Sequence, residues 1–508
     1  MSSPDEEKSA KDGFKDRNPF DGTAQAIPIP PEAHSLTVLP LTAIVYFSVS
    51  GGPFSTTQAV RSGGAFYALL GYMLAPVVIA WQENQITAEL SVAYPHSSGS
   101  VVWCEAAFGP FIAWLNGVLS LVSGITGNAI FPGLFVNFIL EQIPRSADEE
   151  QDLPVYIRFC VLAFMVLVMG YINWSGLNSI GNTTMLIGII ALTPFVIFVL
   201  VGMFQVDASN WLALPSLSVG GYMAESEYEL GGGFFPYATL GGVLLRPFLN
   251  TLFFNHNCFD STATFSEDCG RQPEKVIPRS LNIAWFAVFV FYLLPVAVAT
   301  GVSSGNQLDW KNGYLSFLAG ETVGPWLGNW LIFANGVSNI ALYQAVMSGV
   351  VFKLMGMAHN GLLPRFLGVR SSRGTPTNAI IFSTFIIFFL SMVRLHKLVE
   401  MQNFNYGIAL LLEYAAFIKL RISQPNVPRP YRVPFGTVGC SLMVIPSALF
   451  ILTVLLLASY HAMIVGAVTF GFSVITYQCV AKRIYKKRDD TDSLEGQMAP
   501  MKDSSEMI

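Results

Sequence analysis

The sequence predicts an all-α membrane protein of about twelve transmembrane helices, and three observations carry that expectation. First, 52% of the 508 residues are hydrophobic and only 12% charged, with a mean hydropathy of +0.51; a soluble chain carries roughly a quarter charged residues. Second, apolar stretches of roughly 20 residues, enough to cross a bilayer core as a helix, recur along nearly the whole chain. Third, two of these stretches are broken by polar runs about five helices apart, a spacing that fits a 5+5 inverted repeat followed by two appended helices. The short alternating segments of a transmembrane β-barrel are absent.

In chain order, the spans begin near Leu36, Phe66, Phe111, Val155, Met185, Val243, Ile283, Trp326, Ala379, Phe404, Leu442 and Met463. The third, sixth and eighth are the hardest to delimit, because Gly, Pro and polar residues interrupt them. A polar tail over about residues 1–34 lacks the apolar core of a signal peptide and reads as disordered. The membrane domain is expected over about 35–483, with repeats at about 35–204 and 243–421 and the last two helices at about 439–482. A second polar tail covers about 484–508.

Lys and Arg set the orientation. With the N-terminus inside, the cytosolic segments collect Arg271, Lys275 and Arg279, then Arg365, Arg370 and Arg373, then Lys419, Arg421, Arg429 and Arg432, and a basic C-terminal run from Lys482 to Arg488. The other side holds Arg61, Arg145, Arg158, Arg246, Lys311, Arg394 and Lys397, diluted by acids such as Asp148, Glu149, Glu150 and Asp152. Both termini are therefore expected in the cytosol.

The first span carries Ser48-Val49-Ser50-Gly51-Gly52-Pro53 and the sixth carries Asn255-His256-Asn257-Cys258-Phe259-Asp260. An unpaired polar group in hydrocarbon costs several kcal/mol, so such runs are expected to line a cavity and not to face lipid. Glycine frees the backbone to unwind and Pro53 removes a helix donor. A simple proline kink would explain the first break alone. Broken helices at matching positions of two halves point instead to a transporter's midplane site.

Several stretches resemble the amino acid–polyamine–organocation transporters, most closely their eukaryotic polyamine and L-type amino acid branch. They are Ser50-Gly51-Gly52-Pro53-Phe54; Thr87-Ala88-Glu89-Leu90 with Tyr94-Pro95 and Ser98-Gly99; Gly361-Leu362-Leu363-Pro364 with Gly374-Thr375-Pro376; and Leu412-Glu413-Tyr414-Ala415-Ala416-Phe417 with Arg429-Pro430-Tyr431-Arg432-Val433-Pro434. They keep their order from about residue 36 to 435. The resemblance implies secondary active transport by alternating access, and a gating aromatic six positions before an acid on the sixth helix, a spacing that Phe254 and Asp260 have. It departs from the family in two places. Tyr343-Gln344-Ala345-Val346 lacks the eighth-helix carboxylate of many polyamine members, and Leu177–Val201 lacks the fifth-helix lysine of some proton-coupled members.

A polyamine needs carboxylates for its ammonium groups and aromatic faces for its stem, each cation–π contact contributing ~0.5–2 kcal/mol. Asp260 is the first candidate for the ammonium, with Phe254 and Phe259 flanking the stem and Asn257 and Tyr343 supplying hydrogen bonds. An amino acid would instead place its carboxylate on the N–H groups freed at Ser50, Gly51 and Gly52. Asp260 can also be structural, as N-cap of the lower half-helix. The proton-coupling candidates are Asp260, Glu83, Glu89 and Glu413, since intramembrane acids are functional candidates by default. Glu83 and Glu89 are six apart and so point to different faces, so that at most one is expected at a central cavity; Glu89 and Glu413 can instead stabilise helix ends or basic residues. His256 reads as a neutral packing residue, and Glu267 and Asp268 as a surface cluster with Arg271 and Lys275. Asn173-Trp174-Ser175 and Asn182-Thr183-Thr184 match the glycosylation pattern but are expected, unmodified, in a cytosolic link before the fifth span. The segment from about Gln205 to Leu240 reads as a lid, an acidic antechamber or a floppy insertion.

The leading expectation is proton-coupled uptake of polyamines of the putrescine and spermidine class across the plasma membrane. An amino acid transporter or exchanger of the same superfamily is the alternative, motivated by the missing eighth-helix carboxylate. A receptor that senses a solute without moving it is the second, motivated by the charged tails. No enzyme activity, cofactor, metal or nucleic acid is expected; the expected partners are the solute, a coupling proton and the lipid bilayer. No nucleotide-binding loop appears, the six cysteines lack metal spacing, and Glu141–Leu153 contains no cysteine for a disulfide-linked heavy chain.

Overall fold

The structure, a computed structural model, describes residues 36–141, 155–215, 232–269, 272–303 and 305–481. The tails, the 142–154 loop, most of the proposed lid and Arg271 lie outside the described residues. The chain is helical: α1 (Val38–Val49), α2 (Thr57–Ala75), α3 (Trp81–Ala93), α4 (Ser100–Phe108), α5 (Pro110–Asn128), α6 (Ile130–Glu141), α7 (Val155–Trp174) and α8 (Leu177–Gly202) precede a small hairpin. The hairpin pairs β1 (Thr239–Leu240) with β2 (Val243–Leu244) antiparallel across Gly241-Gly242. Both glycines have positive φ, as a tight hairpin turn requires. Then follow α9 (Leu245–Phe254), α10 (Pro273–Val302), α11 (Tyr314–Thr322), α12 (Pro325–His359), α13 (Thr377–Leu390), α14 (Leu395–Ser423), α15 (Thr437–Leu456) and α16 (Tyr460–Thr476).

Eight stretches among the described residues are long and apolar enough to cross a membrane, and Thr377–Leu390 is a shorter apolar helix. The stretch Val38–Ala93 has 56 residues. At 1.5 Å per residue it would be about 84 Å long, far more than one ~30 Å hydrocarbon core, so it holds two crossings. The chain turns between them at Gly64, whose φ of 72° only glycine adopts without strain.

Element order repeats between the halves. A broken span opens each half, a short helix (α4, α11) leads into a long one (α5, α12), and prolines at Pro110 and Pro325 start those long helices where no N–H partner is needed. The halves then interlock: α14 packs on α5, α10 on α1, α9 on α2 and α3 on the segment after α9, around one large buried core and a small second cluster of Leu115, Leu119 and Ala409.

Three expectations need correction. The seventh span starts at Pro273 and the tenth at Leu395, both ahead of the apolar onset. In α14, the early residues Glu400, Gln402, Asn403 and Asn405 lower the hydropathy, but they are buried against protein. Neither glycosylation asparagine lies in a link. Asn182 is inside α8, and Asn173 is buried on α7, donating to the Gln344 carbonyl and Ser348 of α12.

Candidate functional site

Both breaks are real departures from helix. α1 ends at Ser50, which is extended, and Gly52 has φ +94° before a 3-10 turn over Pro53–Thr56. The Ser50 hydroxyl accepts the Gly52 N–H at 3.0 Å, and the Gly51 carbonyl accepts from Ser338 of α12. A Cβ on Gly51 would collide with Leu342 of the same helix, so glycine is needed here for close approach. In the second break, Cys258 is left-handed (φ 77°), the sole non-glycine with positive φ among the described residues. Such a conformation costs about 1–2 kcal/mol. It points the Cys258 N–H at the Tyr406 hydroxyl of α14, 2.9 Å away. The breaks are bonded to each other: Ser55 donates to Asn255 at 2.8 Å, and Asn255 donates to Tyr72 at 2.8 Å.

The chain resumes as a 3-10 helix, Phe259–Asp268, with Cys258 at its N-cap position. Asp260 therefore does not cap it. Its buried carboxylate takes the Tyr406 hydroxyl on Oδ1 at 2.7 Å and the Lys353 ammonium of α12 on Oδ2 at 3.2 Å. Glu83 of α3 joins the same cluster: Oε1 accepts the Asp260 N–H at 3.1 Å and lies 2.6 Å from the Tyr406 hydroxyl. Its other oxygen is buried without a hydrogen-bond partner. Glu413, about two helix turns beyond Tyr406 on α14, accepts from Asn116 at 3.2 Å and lies within Coulombic range of Asp260 and Lys353. The cluster thus joins three buried carboxyl groups to one buried ammonium, and acid is in excess.

Glu89 is separate. Arg421 grips it from Nε at 2.9 Å and from Nη2, Arg429 lies 3.2 Å away, and the Val433 N–H adds a bond of 2.9 Å. That leaves Glu83 as the member of the α3 pair that reaches the cluster. The surface-cluster reading of Asp268 is overturned: it is buried and forms a two-pronged pair with Arg370 at 2.7 and 3.2 Å. Glu267 binds the N–H and hydroxyl of Ser97.

Of the other expected residues, Asn257 is buried and donates to Asn403 at 3.4 Å. Phe259 is fully buried and Phe254 half-buried, while Phe253 is the ring that packs beside Tyr406, with centroids 6.1 Å apart. Tyr343 is not brought to Asp260. It lies ten residues before Lys353, about 15 Å along α12, and its buried hydroxyl makes no hydrogen bond among the described residues. His256 is a packing residue, with Nδ1 2.8 Å from the Leu252 carbonyl and its ring between Tyr72 and Tyr292. Lys353 and Tyr406 were not singled out from the sequence. A lone lysine in an apolar span is itself a signal, since buried intramembrane charge demands a partner; Tyr406 carries no comparable signal.

A polytopic helical bundle with two broken helices bonded to each other and a buried acidic cluster at the second break defines a membrane permease. The chain belongs to the amino acid permease family, which matches residues 36–480, and thus to the amino acid–polyamine–organocation superfamily. It is a transporter and not an enzyme. It is 32% identical to a probable polyamine transporter of Arabidopsis thaliana over 89% of each chain. It is also 32% identical to the polyamine transporter PUT1 of Oryza sativa subsp. japonica, over 91% of this chain and 81% of that one. The branched-chain amino acid permease BcaP of Bacillus subtilis is more distant, 22% identical over 78% of this chain and 75% of its own.

Proposed function

We propose that the protein takes up polyamines by alternating access, coupled to protons, at the plasma membrane, with both termini cytosolic. The observation that carries this reading is the excess of buried carboxyl over ammonium at the second break, in Glu83, Asp260 and Glu413 against Lys353. A buried anionic excess needs cations or protons to balance it. A solute with two ammonium groups and coupling protons supplies both. The polyamine-transporting relatives support the same substrate class.

Proton balance makes Glu83 the coupling residue of choice. The Tyr406 hydroxyl has one proton but lies within 2.7 Å of two carboxyl oxygens. Two such contacts need two protons, so one carboxyl is protonated. Asp260 already faces Lys353, so the second proton belongs on Glu83. Glu413 is the other candidate in the cluster, whereas the arginine pairing of Glu89 argues against a proton-carrying role there.

An amino acid substrate is disfavoured because the Ser50 and Gly52 N–H groups are already taken, by the Tyr46 carbonyl at 2.7 Å and by the Ser50 hydroxyl. The test is uptake of labelled putrescine or spermidine into proteoliposomes under an imposed pH gradient. Accumulation that collapses with a protonophore is expected. Transport of leucine or arginine without any polyamine would overturn the substrate reading, and absence of flux would leave a receptor.

A further inference from the structure

Lys353 is a buried ammonium in the last two turns of a 35-residue apolar helix, and Asp260 holds it. Its side chain is a four-carbon alkylammonium, the carbon chain of putrescine with one of its two ammonium groups. The carboxylate that would receive a substrate ammonium is thus occupied by an identical group tethered to α12. Glu413, Cys104 and Cys258 also lie within Coulombic range of Lys353, and none of the three is a cation.

An empty carrier must return through an occluded state, and an Asp260 stripped of substrate would then be a buried, uncompensated charge, a strongly unfavourable arrangement. We propose that Lys353 is an internal substitute for the substrate's ammonium. It pairs with Asp260 while the carrier is empty, yields that oxygen when a polyamine binds, and takes it back on release. The consequence is functional: the empty carrier reorients freely, so the protein performs net uptake and is not confined to one-for-one exchange. Lys353 is on this account a positioning residue for the return step. The inference rests on the polyamine reading of the Asp260 site.

The test uses the full chain in proteoliposomes, with labelled putrescine outside and either buffer or unlabelled putrescine inside. For the wild type, exchange should exceed net uptake by less than about threefold, because return of the empty carrier is not limiting. Lys353→Gln should lower net uptake at least about tenfold more than it lowers exchange, since only the empty form loses its cation. Lys353→Arg, which keeps the charge, should restore much of the ratio. A wild type stimulated more than about tenfold by internal putrescine would overturn the proposal without any variant. Equal loss of both modes in a Lys353→Gln protein of wild-type monodispersity would overturn it as well, as would unchanged net uptake. No putrescine flux in either mode would instead sink the polyamine reading, and the same ratio would then be read with arginine or leucine, whichever is carried.

Discussion

The Tyr406 hydroxyl stands 2.7 Å from the Asp260 carboxylate, joining α14 to the break after α9 across 146 residues of chain. The same oxygen is 2.6 Å from Glu83 and accepts the strained Cys258 N–H. One phenol therefore contacts the break and both acids at once. Tyr406→Phe should remove all three contacts while keeping the ring beside Phe253. Losing a hydrogen bond to a charged group costs about 1.5–3 kcal/mol, so putrescine uptake should fall roughly 10- to 100-fold, measured as initial rate at matched reconstitution.

Glu83→Gln retains a neutral side chain that can still donate to Tyr406. Uptake should persist at a reduced rate but lose its dependence on the pH gradient. Initial rates across an external pH series check this, and a variant with the wild-type pH profile would remove Glu83 from the coupling role.

Asp260→Asn should abolish polyamine uptake while leaving surface expression intact. It also strands the Lys353 ammonium, and breaking a buried pair by removing one partner costs about 3–5 kcal/mol. Thermal unfolding in detergent should consequently show Asp260→Asn less stable than the double variant Asp260→Asn/Lys353→Gln. Unchanged uptake in Asp260→Asn would make the acid structural.

Glu89→Gln should behave differently from Glu83→Gln. It breaks the buried pairing with Arg421 and Arg429, so a loss of about 3–5 kcal/mol in stability is expected. The surviving folded fraction should keep the wild-type pH profile of uptake. Thermal unfolding and the pH series on the same preparation separate the two effects.

Gly51→Ala places a methyl against Leu342. Overpacking of this kind costs typically 1–3 kcal/mol, and the flexible end of Leu342 can absorb part of it. Reduced uptake and a lower unfolding temperature are expected, with partial recovery in Gly51→Ala/Leu342→Ala.

The membrane class, both helix breaks and Asp260 were legible because lipid makes polar residues expensive, so their clustering is conspicuous in a linear pattern. The acids on α3 were legible too, and their six-residue spacing already separated Glu83 from Glu89 by helix face. Helix starts were less legible where polar residues face protein, as at Leu395, because hydropathy records composition and not what a side chain touches. The N-cap role for Asp260 failed for a local reason: the turn begins two residues earlier, at the left-handed Cys258.

By itself, then, the sequence determined that two helices break in the membrane and that an acid lies at the second break. Only the tertiary structure decided what meets that acid. Lys353 and Tyr406 lie 93 and 146 residues away, on helices whose rotation and depth relative to the break follow from packing against every neighbour at once. Charge in an apolar span announces that a partner must exist; the three-dimensional register of helices selects which one, and here it chose a cation belonging to the protein itself.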